Sequence, residues 1–141
     1  MYDQPTDWME DACFEFNPWE PGRLHRLSKP RKRESAIANE YGDTVSRDNI
    51  TGRITAFRYC EQGTCYFFEY DKDGRISSIN RSDGWVWRRV NSNAFNGWIV
   101  RNYFESWKVS DQDCGAVVID EAGVRATGTK VDMMGLPERR N

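Results

Sequence analysis

The sequence predicts a mainly β protein, an antiparallel β-meander or small β-sandwich of about six or seven strands with a largely irregular N-terminal region. Short runs rich in β-branched and aromatic residues are each stopped by a turn that contains Gly or Asp. Consecutive runs joined by short turns give antiparallel neighbours. Hydrophobic residues make up 38% of the chain and aromatic residues 13%, so much of the core must consist of Trp, Tyr and Phe, which suit sheets.

The chain of 141 residues is long enough for one domain with flexible ends. An acidic, aromatic arm occupies residues 1–22 and either docks on its own sheet or folds on a partner. A basic linker with a predicted short helix follows over residues 23–49. The β-meander domain spans residues 50–128, and residues 129–141 are predicted to form a frayed tail.

Residue patterns along the chain predict where each helix, strand and turn lies. The helix is predicted over residues 34–41, where Gly42 would stop it, and residues 43–49 are predicted to be a lead-in loop. The predicted strands are 53–60, 65–70, 75–80, 85–90, 98–109, 115–119 and 124–127. The turns between them are predicted at 61–64, 71–74, 81–84, 91–97, 110–114 and 120–123. The strand over 98–109 is long enough to bend or to cross between two sheets.

A short internal repeat lies within the predicted meander. The tetrapeptide Gly-Arg-Ile-Thr at 52–55 recurs as Gly-Arg-Ile-Ser at 74–77, which is 22 residues later. The second copy and its flanks resemble the YD repeat, also called the RHS repeat, at Tyr70, Asp71, Gly74, Arg75, Ile76, Ile79, Asp83, Gly84 and Trp85. The resemblance implies a β-hairpin scaffold related to secreted, cell-surface or toxin-carrying proteins. It implies no catalytic residue.

Aromatic side chains are predicted on both faces of the sheet. Trp85 and Trp87 alternate onto one face of their strand. On the long predicted strand Trp98 and Phe104 share one face, and Tyr103 and Trp107 share the other. The second face must be covered by the N-terminal arm, a second layer, another subunit or a ligand. The candidate binding residues are Trp85, Trp87, Trp98, Tyr103 and Trp107.

The cysteines leave two alternatives open. Cys60 and Cys65 flank a four-residue turn, so a regular hairpin would set them opposite each other and permit a disulfide. The alternative is a pair of reduced thiols packed as small apolar groups. A zinc site would need further ligands from Cys13, Cys114 or His25, and the Cys-x4-Cys spacing lacks a second knuckle. We therefore expect no metal site and no cofactor.

No catalytic set is recognisable in the sequence. His25 is the single histidine and lies in the basic block, without a visible nucleophile as partner. A pair of carboxylates about 5–9.5 Å apart is the remaining route to an enzyme, such as a small hydrolase. The candidates stand at predicted turns, where Asp is also expected for structural reasons: Asp71, Asp73, Asp83, Asp111 and Asp113.

Charge and hydropathy limit the partners and the location. The net charge of −2 gives no general attraction to nucleic acid, and the basic run at 29–33 follows an equally acidic segment. No apolar run approaches the roughly 20 residues that span a bilayer. Residues 1–10 are acidic and lack the apolar core of a signal peptide, which predicts a cytoplasmic protein unless a signal-independent route exports it.

Three functions follow from these patterns. The first is a non-catalytic protein-interaction or scaffold module that binds another protein through its aromatic sheet face. The second is a carbohydrate-binding, cell-surface or toxin-associated module that binds an oligosaccharide. The third is the carboxylate-dependent hydrolase. A homodimer, formed by edge pairing or by burial of the aromatic face, is a further expectation because open sheet edges must be managed.

Overall fold

The computed structural model describes residues 34–137. The acidic arm, the basic residues 23–33, Cys13, His25 and the last four residues lie outside this range, and so do the predictions made for them. The described chain forms ten strands, a one-turn α-helix α1 (Asp111–Cys114) and a 3-10 helix (Val131–Met134). The strands are β1 (Glu34–Ala38), β2 (Thr44–Asp48), β3 (Ile54–Arg58), β4 (Cys65–Tyr70), β5 (Ile76–Arg81), β6 (Val86–Asn91), β7 (Asn96–Arg101), β8 (Ser106–Ser110), β9 (Val117–Asp120) and β10 (Gly123–Ala126).

The strands form an antiparallel meander. Strands β1 to β8 lie in chain order in one eight-stranded sheet, and β9 and β10 form a separate antiparallel pair. Every strand of the large sheet is therefore a neighbour of the strand that precedes or follows it in sequence. The mainly β meander predicted from the sequence is confirmed. Residues 34–137 form ten strands, whereas six or seven were expected.

The region predicted as a helix and a loop forms strands β1 and β2 instead. They pair antiparallel, from Glu34 opposite Asp48 to Ala38 opposite Thr44. The turn between them is held by the side chain of Asn39, whose Oδ1 accepts the backbone N–H groups of Tyr41 and Asp43 at 2.9 and 3.0 Å. This local hydrogen bond competes with helix formation. A helix as short as residues 34–41 is marginal on its own, whereas pairing with β2 gives the backbone of β1 cross-strand partners.

The single long strand predicted over 98–109 is two strands. Asn102 interrupts it, because its Oδ1 accepts the backbone N–H groups of Phe104 and Glu105 at 2.8 and 3.0 Å and so forms a turn. Strands β7 and β8 then pair with each other, with Val100 opposite Trp107. The turn moves Trp107 to the face that carries Trp98, and the prediction that these two residues lie on opposite faces is wrong.

The described part of the C-terminal tail is ordered rather than frayed. Residues 131–134 form the 3-10 helix, and Met134 is fully buried. Gly135 ends the helix in the left-handed conformation at φ +67°. The described tail thus adds the side chain of Met134 to the buried core.

The described residues divide into two compact units. The first consists of residues 34–68 and 80–84, and the second of residues 69–79 and 85–137. In the first unit the rings of Phe57 and Tyr59 lie 4.7 Å apart and those of Tyr59 and Tyr66 lie 5.5 Å apart, all three buried. The aromatic core expected from composition is thus present in this unit.

Candidate functional site

Four tryptophans share one face of the second unit. Along β6 and β7, Trp87 lies opposite Val100 and Arg89 opposite Trp98, and along β8 Trp107 lies opposite Val100. Residues that face each other across an antiparallel pair point to the same side of the sheet, and so do residues two apart on one strand. We call this side the tryptophan face; its tryptophans are Trp85, Trp87, Trp98 and Trp107.

The tryptophan face is a covered surface rather than an open one. Trp87 is 0% exposed and Trp98 is 3% exposed, so the structure presents neither ring at the surface, and a binding role for them stays a prediction. The indole Nε1 of Trp87 donates a hydrogen bond to the carbonyl of Met134 at 2.6 Å. The C-terminal segment is therefore one second layer on this face, and the indole hydrogen bond satisfies the polar group that burial of Trp requires.

The remaining two tryptophans lie at the border of the covered region. The ring of Trp85 stacks on Trp87 at 5.6 Å and meets Trp107 edge-on at 5.6 Å. The Nε1 of Trp107 donates to the carbonyl of Met133 at 2.8 Å. Both residues are partly exposed, so they contribute ring surface beside the 3-10 helix.

The aromatic surface that is accessible lies at the β7–β8 turn. Phe104 is 93% exposed and Tyr103 is 50% exposed, with ring centroids 6.5 Å apart. We call these two residues with Asn102 the aromatic tip. Tyr103 was predicted as a binding residue, whereas Phe104 was assigned to a strand face. The Asn at position 102 was the available signal for a turn there, but no Gly accompanies it.

A cleft of about 640 Å³ lies within the second unit. The β4–β5 turn contributes lining residues between Tyr70 and Ile76, and the segment from Asp111 to Ile119 contributes others. Strands β6 and β7 add Arg89, Asn91 and Trp98 to the lining. Volumes of about 300–1,000 Å³ are usual for ligand sites.

The lining of the cleft includes a fixed ion pair. Arg89 donates to both carboxylate oxygens of Asp111, at 2.6 and 2.7 Å, and its guanidinium carbon lies 5.6 Å from the ring centroid of Trp98. The hydrogen bond to Asp111 raises the pKa of Arg89, because it stabilises the charged form. This bidentate pair on an aromatic ring is a rigid element, since the planar guanidinium is held from two directions.

Several of the turn carboxylates have structural partners. Asp71 Oδ1 accepts the backbone N–H groups of Asp73 and Arg75 at 2.9 and 3.0 Å, which closes the β4–β5 turn. Asp113 pairs with Lys130 at 3.5 Å. Among the predicted candidates, those at the cleft are Asp71 and Asp111, and each carboxylate is engaged in structural hydrogen bonds.

Comparison of the chain with protein-family models, with curated proteins and with solved structures finds no match. The resemblance to the YD repeat stays a prediction that depends on the residues quoted for it. Within residues 34–137, no helix is long and apolar enough to cross a membrane. The same residues contain no group of three or more His, Cys, Asp or Glu side chains arranged to hold a metal ion.

The structure shows neither of the two alternatives left open for Cys60 and Cys65, the bridge between them or the pair of reduced thiols. Cys60 is a free, exposed thiol, whereas Cys65 is disulfide-bonded and buried. The register explains the difference, because Arg58 is the residue opposite Cys65 and Cys60 lies beyond the end of β3. Cys114 is also free but buried.

Proposed function

We propose that the protein is a non-catalytic interaction module that binds another protein through the aromatic tip. The observation that carries the proposal is the 93% exposure of Phe104 beside the half-exposed Tyr103. Large aromatic side chains are the residues that most often dominate the energy of protein interfaces. Here the YD-like hairpin scaffold has the role of a support that presents them.

The tip is suited to this role because its backbone is fixed. Asn102 accepts two backbone hydrogen bonds, and the amide of Asn102 donates to the carbonyl of Glu105 at 3.0 Å. Fixing the backbone before binding lowers the entropy that association costs. Next to the tip, the pairing of Arg101 with Ser106 continues into the β7–β8 ladder.

Site-specific photocrosslinking tests the proposal. The photoreactive residue p-benzoylphenylalanine replaces Phe104 in one variant and Ile50 in the control. Ile50 is 74% exposed at the β2–β3 turn, so it matches Phe104 in exposure and in position on a hairpin. Irradiation in a lysate of the native source is expected to give one dominant adduct at position 104 and none of the same mass at position 50.

The adduct is then identified and its binding measured with purified partner. Phe104→Ala is expected to weaken that binding by about tenfold or more, and Ile50→Ala to leave it unchanged. Adducts of equal mass and yield from both positions would show nonspecific contact and reject the aromatic tip. An adduct of the chain with itself would replace the protein partner by a homodimer.

Oligosaccharide binding is the second candidate, and the pair Trp85–Trp107 favours it. Their rings meet at 86° and are partly exposed, which forms an aromatic corner of the kind that packs against a sugar ring. A glycan that binds there is expected to shift Trp fluorescence in the wild type and not in Trp107→Leu. A flat titration across a broad glycan set would remove this candidate.

The cellular location belongs to the proposal as well. A cytoplasmic location was predicted, yet disulfides are rare in reducing compartments. The disulfide at Cys65 therefore favours a location outside the reducing cytoplasm. Fractionation of the native source, with the redox state of Cys65 measured in each fraction, distinguishes the two locations.

A further inference from the structure

Strand β9, which contributes two lining residues to the cleft, has an open edge. Strand β9 pairs with β10 on one side, and no strand pairs with its other side in the described chain. Val117 and Ile119 of this strand both line the cleft. An unpaired strand edge presents a row of backbone donors and acceptors, which is a template for a further strand.

The register of the hairpin shows which backbone groups point toward the open edge. Thr127 donates its backbone N–H to the carbonyl of Ala116 at 3.0 Å, so these residues form a hydrogen-bonded pair. Antiparallel pairs alternate between hydrogen-bonded and non-hydrogen-bonded. Since Val117 is opposite Ala126 and Ile119 is opposite Val124, both pairs are of the second kind. The N–H and C=O groups of Val117 and Ile119 consequently point away from β10.

Arg75 is the charged residue of the cleft that is placed to take an acidic group of a ligand. Four charged residues line it, and two of them, Arg89 and Asp111, neutralise each other as a bidentate pair. Asp71 directs a carboxylate oxygen at backbone N–H groups of its own turn. Arg75 is exposed, and its guanidinium forms no ion pair or hydrogen bond with a residue of the described range. A carboxylate of a ligand is the natural partner for it.

We propose that the cleft binds an extended peptide from another protein, which adds to β9 as a third strand and places an acidic side chain on Arg75. Val117 and Ile119 offer two N–H donors and two C=O acceptors for the main chain of the peptide. Side chains on one side of the peptide face Arg89 and Asn91. This binding mode is known as β-augmentation, in which the main chain supplies affinity and side-chain pockets supply specificity.

The site is separate from the proposed function, because it uses no residue of the aromatic tip. Selection from a phage-displayed library of random peptides on the full chain supplies the probe. The enriched sequences are expected to share one Asp or Glu within a β-branched or aromatic segment. The best sequence is synthesised, and its affinity is measured by isothermal titration calorimetry.

The variant Ile119→Pro removes one outward donor without removing a bond of the β9–β10 ladder, and it is expected to weaken binding by about tenfold. Ala126→Pro is the matched control, because it removes an outward N–H on the opposite edge of the same hairpin, away from the cleft. Arg75→Glu is expected to weaken the acidic peptide and to improve its Asp→Lys counterpart. Phe104→Ala is expected to leave peptide affinity unchanged, which separates this proposal from the aromatic tip.

A scan of the synthetic peptide keeps the test independent of variant folding. Methylation of one backbone nitrogen at a time is expected to abolish binding at every second position and to be tolerated between them, since only alternate N–H groups face β9. Sensitivity without this period of two would overturn the added strand. Failure to enrich any peptide over a bare support, or binding that survives both Ile119→Pro and Arg75→Glu, would overturn the site.

Discussion

Indole hydrogen bonds fix the C-terminal segment on the tryptophan face. Trp87 and Trp107 donate to successive carbonyls, those of Met134 and Met133, at 2.6 and 2.8 Å. The two bonds differ in surroundings, because Trp87 is fully buried and Trp107 is partly exposed. A buried carbonyl that loses its donor has no water to replace it.

Trp87→Phe is therefore expected to lower the free energy of unfolding by about 1–3 kcal/mol through the lost hydrogen bond, and further through the smaller ring. Trp107→Phe is the matched variant, and we expect a loss below about 1 kcal/mol because water can reach the carbonyl of Met133. Urea denaturation of both proteins measures the difference. Equal losses would contradict the unequal burial of the two bonds.

The cysteines should differ in reactivity. Cys60 is exposed and free, whereas burial raises the pKa of the Cys114 thiol, with nearby Asp111 acting in the same direction. The thiolate is the reactive form, so iodoacetamide at neutral pH is expected to label Cys60 first and Cys114 only after unfolding. Cys65 should be labelled only after reduction. Peptide mass spectrometry of timed samples checks this order, and early labelling of Cys114 would contradict it.

Tyr66 is expected to make stability depend on alkaline pH. Burial raises the pKa of its phenol, although the neighbouring Arg81, which donates to the phenol oxygen at 3.0 Å, acts against this. In the unfolded chain the phenol ionises near about pH 10. The folded state holds the proton more tightly, so the stabilisation is fully present below about pH 10 and is lost as the pH rises through the folded pKa.

The free energies of unfolding of the wild type and Tyr66→Phe, measured between neutral and strongly alkaline pH, isolate this contribution. The difference between the two proteins should shrink above about pH 10. A constant difference over the whole range would show that the phenol titrates alike in both states.

At the scale of elements, side-chain caps define the hairpins. Five turns share a bond in which an Asp or Asn oxygen accepts the backbone N–H two residues ahead at 2.8–2.9 Å: Asn39, Asp48, Asp71, Asn102 and Asp120. The turns at 71–74 and 120–123 were predicted because Gly accompanies the Asp. The turn at Asn102 was missed because aromatic residues follow it and resemble a continuing strand.

Gly135 ends the 3-10 helix and lies against the ring of Trp85. It has φ +67°, and a Cβ at this position would lie 2.5 Å from the ring of Trp85. Gly135→Ala is expected to cost about 1–2 kcal/mol for the left-handed backbone and more for displacing the ring. Gly52→Ala is the control, since Gly52 has φ +74° and no atom within 4 Å of its Cβ position. Denaturation measures both, and a cost at Gly135 no larger than that at Gly52 would contradict the contact with Trp85.

At the scale of the whole molecule, the C-terminal residues matter because the tryptophan face needs them. Deletion of residues 131–141 removes the carbonyls that accept from Trp87 and Trp107, and with them the buried Met134. We expect a red shift of Trp fluorescence, binding of the dye ANS and a large loss of stability. Deletion of residues 138–141 alone is the control. An unchanged spectrum after the longer deletion would show that other residues cover the face.

The sequence predicted the architecture better than the site. Alternating aromatic runs and Gly or Asp turns were enough for the meander, since each strand pairs with a neighbour in sequence. They did not show which aromatic rings are accessible, because Trp87 is covered by a residue as distant in sequence as Met134. Nor could spacing bring β9 and Arg75 to one cleft, because a cleft depends on how separate elements pack.

The meander also has a consequence for synthesis on the ribosome. Each strand of the large sheet needs only the preceding strand as a partner, so pairing can proceed in the order in which the strands emerge. The tryptophan face is different, because Trp87 must await Met134, which is made 47 residues later. Until then the nascent chain displays an uncovered aromatic surface, which is the stage at which a chaperone would engage it and at which premature termination would be most damaging.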